Sequence, residues 1–109
     1  MPRPSGTIGE TKLKILAIVY HNDLAGIPSY GYNIWGLLKQ KFYLYMSEGD
    51  LRNVYHHLKE LTSLGLVEKG NYQPVRGAPM RQPYSMTEKG RDLMRKFGKY
   101  LNVLTNPET

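Results

Sequence analysis

The stretch from Leu51 to Met86 constrains this chain most, because its hydrophobic period changes once, at a marked point. Leu51, Val54, Leu58, Leu61 and then Leu64 or Tyr55 recur at spacings of three and four, the pattern of an amphipathic helix. Gly65 stands just past them, where a left-handed residue ends a helix. Leu66-Val67-Glu68-Lys69 and Tyr84-Ser85-Met86 then read as two strands. Between them, Gly70 to Pro83 is rich in Gly and Pro, which makes a hairpin with a long irregular tip. The helix has two candidate starts. Ser47 and Asp50 have capping-box spacing, and Asp50 can itself cap a helix that begins at Leu51.

The flanks add helices. Thr11 to Tyr20 puts Leu13, Leu16, Ala17 and Tyr20 on one face, widened by Ile15, Ile18 and Val19. A helix so nearly all-apolar belongs at the centre of a core. It should end near His21-Asn22-Asp23, and Ser29 is the expected N-cap of a second helix over Tyr30 to Phe42. Ile34, Leu37, Leu38 and Phe42 are its inner stripe. Gly31 and Gly36 weaken such a helix by roughly 1 kcal/mol each relative to Ala, which suggests a close approach by another backbone. Tyr43-Leu44-Tyr45 reads as a short extended piece. Thr87 is a cap for a last helix from Glu88 to about Val103, with Leu93, Phe97, Leu101 and Leu104 in one stripe.

Helix, helix, helix, strand, basic loop, strand, helix is the order of a winged helix-turn-helix with an added helix. The expected fold is mainly α with a small β-hairpin. A flexible arm over 1–8 would precede the winged domain over 9–86. A C-terminal dimerisation helix over 87–105 and a tail over 106–109 would follow. The chain's 109 residues suit one domain, and its net charge of +6 favours a phosphate-bearing partner. There is no cysteine, so no disulfide, thiol nucleophile or zinc-finger pattern. The apolar run Leu13 to Tyr20 is too short for a membrane span, so a soluble cytoplasmic protein is expected.

Double-stranded DNA is the expected partner. Arg52, Asn53 and His56 lie on the polar face near the start of the third helix, where Arg can read guanine and Asn adenine. Arg76 and Arg81 on an acid-free wing suit phosphate or a narrow minor groove. Glu48, Asp50 and Glu60 outnumber Arg52 and Lys59 around the third helix, which favours the alternative of a protein-interaction module that never touches DNA. A homodimer is expected through the stripe Leu93, Phe97, Leu101 and Leu104, since an exposed stripe is unfavourable; the alternative is that the last helix completes its own domain's core. His56 and His57 point about 100° apart on a helix and do not share a metal. No metal, cofactor or enzymatic activity is expected, because no nucleophile–base set or phosphate-cradling loop is visible.

Three segments resemble the PadR family of winged-helix transcriptional regulators. Ser29-Tyr30-Gly31-Tyr32-Asn33-Ile34 resembles the family's opening of helix two. Val54-Tyr55-His56-His57-Leu58-Lys59-Glu60-Leu61 through Val67 resembles its recognition helix and first strand. Tyr84-Ser85-Met86-Thr87-Glu88-Lys89-Gly90 resembles its wing end, and is the most specific of the three. The resemblance spans most of residues 11 to 95 and implies DNA binding and dimerisation through the last helix. It also implies a candidate small aromatic effector, for which Trp35 is the suggested contact, with core packing as its other reading. Asp50-Leu51-Arg52 and the wing around Arg76 and Arg81 depart from the family's usual pattern, which bears on the operator more than on the fold.

Overall fold

The computed structural model describes residues 9–42, 49–75 and 78–105. Helix α1 (Glu10–Ala25) is the axis of the core. Ile15 to Val19 are five consecutive residues with no accessible surface, as the nearly all-apolar run requires. Helix α2 (Gly31–Lys41) and helix α3 (Gly49–Ser63) pack on each other and on α1. Strand β1 (Val67–Lys69) pairs antiparallel with β4 (Tyr84–Met86), with Val67 opposite Met86 and Lys69 opposite Tyr84. Between them β2 (Gln73–Val75) pairs antiparallel with β3 (Ala78–Arg81). A short helix α4 (Glu88–Arg91) leads to α5 (Met94–Thr105), which lies along α1. The expected architecture, three helices, a hairpin and a last helix, is present.

Five local expectations change. Helix α1 does not stop at His21-Asn22-Asp23 but runs to Ala25 and ends at Gly26, whose φ of 73° is left-handed. The polar residues that suggested a turn are used as anchors. Buried Asn22 donates from Nδ2 to Ser29 Oγ at 2.9 Å, and Asp23 Oδ2 accepts the Met86 N–H at 2.8 Å. Ser29 therefore does not cap α2. It is fully buried, and its carbonyl accepts the Tyr84 N–H at 2.8 Å. The cap is Tyr30, whose own N–H donates to Asn33 Oδ1 at 2.8 Å.

The long tip Gly70 to Pro83 is not irregular throughout, because β2 and β3 continue the hairpin. In a two-stranded ladder each strand has an open edge, so Pro74 and Pro79 do not forbid pairing. The last helix is broken at Asp92-Leu93 into α4 and α5. Helix α3 already includes Gly49 and Asp50, so Asp50 does not precede it as a cap. Ser47, Glu48, Tyr43-Leu44-Tyr45, the arm 1–8 and the tail 106–109 lie outside the described residues.

The wing's base is locked to the end of α3 by one junction. Gly65, at φ 79°, turns the chain out of α3. Thr87 Oγ1 donates to the Gly65 carbonyl at 2.6 Å and accepts the Gly90 N–H at 3.0 Å, so one hydroxyl caps α4 and ties it to α3. A Cβ on Gly90 would overlap the Leu66 carbonyl oxygen and the Met86 sulfur. That is why the Thr-x-x-Gly segment at the wing end needs glycine. Gly90→Ala should destabilise the fold by about 1–3 kcal/mol, the usual cost of overpacking. Thr87→Val should cost about 1 kcal/mol through the lost cap. Urea unfolding checks both, as lowered midpoints with an unchanged slope.

Candidate nucleic-acid interface

Helix α3 turns Val54, Leu58 and Leu61 wholly into the core, which leaves Arg52, Asn53 and His56 exposed on its outer face. The three form one exposed group near the helix start, with the hairpin following the same helix. His56 keeps a side-chain exposure of 65% and lies 3.5 Å from Glu60 one turn on. Glu60 also pairs with Lys12 of α1 at 2.7 Å. That hydrogen bond and charge from Lys12 hold the Glu60 carboxyl below its ordinary range, with smaller contributions from His56 and His57. The acid on α3 is thus partly offset by a cation from another helix.

Beside this face, α2, α3 and the wing enclose a cleft of about 340 Å³. Tyr30, Tyr55, Tyr72, Tyr84, Lys69 and Arg81 line it. The Tyr55 ring lies against the first turn of α2, where a Cβ on Gly31 would overlap it. The close approach expected at Gly31 is therefore made by a tyrosine ring and not by another backbone, and Gly36 has open space around it. Burial pushes the Tyr84 phenol up, so it stays a hydroxyl donor.

The sequence does not single out Tyr55 or Tyr72 as functional, and it marks Lys69 only as the end of the first strand. Tyr55 had a usable signal, since it competes with Leu64 for the α3 stripe and both prove exposed. Arg81 is half-buried, with its guanidinium carbon 5.0 Å from the Tyr32 ring centroid. Arg76 lies outside the described residues.

The stripe assigned to a partner copy is largely spent inside the protomer. Phe97 has no accessible surface and meets Tyr20 of α1 at 5.7 Å between ring centroids. Leu104 is also buried, while Leu93 and Leu101 are half-buried. The alternative weighed for this helix, that it completes its own core, describes Phe97 and Leu104. Trp35 is only 7% exposed and packs against Tyr32 and Lys39. Among the described residues no cluster of His, Cys, Asp or Glu could hold a metal, and no helix is long and apolar enough to cross a membrane.

The model of the PadR-like family of transcriptional regulators matches residues 22–96, from the last turns of α1 into α5. The chain belongs to the PadR-like family. Solved structures share its fold. A PadR-like transcription factor from Bacteroides fragilis superposes with a TM-score of 0.59 at 22% identity, covering 85% of this chain and 81% of that one. A PadR family regulator from Clostridium difficile R20291 gives 0.62 at 21% identity, over 88% and 91%. RosR of H. salinarum gives 0.61 at 20% identity, over 97% and 84%. No curated protein sequence matches the chain.

The Lys12–Glu60 pair gives this PadR-like protein a pH signature. The folded-state pKa of Glu60 is lowered, so its contribution is present above the ordinary carboxylate range and is lost as pH falls through the lowered value. Thermal melts should find wild type more stable than Glu60→Gln near neutral pH, by a small margin because Glu60 is exposed, with the two curves converging in acid. A constant gap at every pH would contradict the assignment.

Proposed function

We propose that the chain is a DNA-binding transcriptional regulator that reads duplex DNA with α3 and holds its backbone with the wing. The reading is carried by one observation: Arg52, Asn53 and His56 stand exposed together on the helix that leads into a two-stranded wing. Family membership supports the regulatory role, and the net charge of +6 supports a polyanionic partner. Arg76 and Arg81 of the wing are assigned to the phosphate backbone or minor groove. The protein acts by binding, without enzymatic chemistry, in the cytoplasm. Anisotropy of a labelled random duplex tests this through salt dependence, since phosphate contacts release counterions and affinity must fall as salt rises. A winged-helix module that meets only protein would leave the duplex free at low salt.

Base reading makes a sharper demand. On a site selected from genomic fragments, Asn53→Ala should cost roughly 1–3 kcal/mol and relax preference at one base position. Selection from random duplexes, repeated with Ala at residues 52, 53 and 56, checks this. Unchanged preferences would move recognition off α3.

The regulator is assigned a homodimeric state, built on the outer flank of α5 and not on its buried stripe. Met94, Gly98, Leu101 and Thr105 follow one another at spacings of three and four, so they share a flank. Met94 is exposed, and a Cβ on Gly98 would touch nothing beyond the Met94 side chain at 3.8 Å. That flank leaves room for a second helix. Two recognition helices related by a two-fold axis would call for a near-palindromic site with half-sites about one DNA turn apart. Gly98→Glu spares the protomer core. Sedimentation at micromolar concentration should find a wild-type dimer and a folded Gly98→Glu monomer. A wild-type monomer, or a Gly98→Glu dimer, would contradict this seam.

A further inference from the structure

Arg81 sits between two environments. On one side its guanidinium carbon is 5.0 Å from the centroid of the Tyr32 ring, within cation–π reach. On the other it lines the cleft with Lys69. Tyr32 belongs to the first turn of α2, and its ring meets Trp35 edge-on at 5.5 Å. Trp35 in turn carries Lys39 Nζ at 3.6 Å from its ring centroid. Residues 32, 35 and 39 follow helical spacing, so the rings and cations form a ladder from the wing into the body of α2.

The ladder matters because of what else holds the wing. Strand β3 pairs with β2, and this outer ladder continues from the wing base through the Gly70 N–H to Pro83 carbonyl bond at 2.8 Å and the Gln82 Nε2 to Gly70 carbonyl bond at 3.0 Å, which lie within the hairpin and do not reach α2. The Arg81–Tyr32 contact reaches from that outer ladder to α2. The cleft beyond it is lined by two cationic residues and four tyrosines, with no carboxylate in its lining. A phosphodiester of a bound duplex matches that set, since Arg and Lys both favour phosphate and hydroxyls donate to its oxygens. A planar guanidinium already laid on a ring has less freedom to lose when the phosphate arrives.

We propose that Tyr32 is a positioning residue for Arg81: it holds the guanidinium at the cleft between α2 and the wing, where Arg81 and Lys69 take one backbone phosphate of the duplex. This rests on the DNA-binding reading above and adds to it a residue that itself need not touch DNA. The test is a double-mutant cycle on duplex affinity across a salt series, with wild type, Tyr32→Phe, Tyr32→Leu, Arg81→Ala and the Tyr32→Leu/Arg81→Ala pair. Arg81→Ala should weaken binding to all sequences and flatten the salt slope by about one. Tyr32→Phe, which keeps the ring, should behave as wild type. Tyr32→Leu should reproduce most of the Arg81→Ala loss, and the double variant should bind no worse than Arg81→Ala. Tyr32→Met supplies the same comparison if Tyr32→Leu unfolds. Wild-type binding with Tyr32→Leu unchanged, or with the two losses adding in full, overturns this inference alone. A wild type that binds no duplex overturns the functional reading and this inference with it.

Discussion

Five consecutive residues of α1, Ile15 to Val19, have no accessible surface, and the rest of the molecule is arranged to make that so. A helix buried all round needs cover on every side. Helices α2 and α3 and strand β4 supply part of it, and α5 supplies the longest line of contact. Each large apolar side chain so buried contributes roughly 1.5–3 kcal/mol, which commits the last helix to the protomer before any partner is considered. Phe97 and Leu104 are spent on that cover. A second copy, as proposed above, would therefore meet the flank of α5 and not its hydrophobic centre.

The end of α1 extends this constraint to the surface. Asn22 and Asp23 leave the apolar run as hydrogen-bonding anchors, one to Ser29 and one to the β4 backbone. Ser29 then pairs with Tyr84, while Thr87 and Gly90 close β4 against the end of α3. Helix α3 and the base of the wing are therefore fastened to one frame. A buried polar group is costly unless it is paired, so these bonds also specify which arrangement is allowed. Beyond the frame, β2 and β3 extend the hairpin through the Gly70–Pro83 hydrogen bond, and Arg81 of that ladder meets Tyr32 of α2.

The element order was legible because the apolar periods are strong: Val54, Leu58 and Leu61 are all fully buried, as the three–four spacing of α3 demanded. Details failed where a residue type has two uses. Asn22 and Asp23 resemble turn formers but serve as side-chain anchors, and Ser29 resembles a cap but is a buried bridge. Pro74 and Pro79 argue against strands, yet a two-stranded ribbon has free edges. Of the candidate interface, Arg52, Asn53 and His56 were visible because they oppose a clear stripe. The cleft was not, since Tyr55, Lys69 and Tyr72 come together only when the hairpin folds beside α2. No local period encodes such a meeting. Phe97 was legible as apolar, but a stripe alone does not say whether its cover is internal or a partner.

The central claim is that one surface, formed by the exposed face of α3 with the adjoining wing, meets duplex DNA. Amide chemical-shift mapping by NMR tests it most directly, by titrating a short duplex selected from genomic fragments into the labelled protein. Shifts concentrated at residues 52–56, at the first turn of α2 and along β3 and β4, with α5 unmoved, are the predicted result. Shifts confined to α5, or none at a duplex concentration that saturates binding, would contradict it.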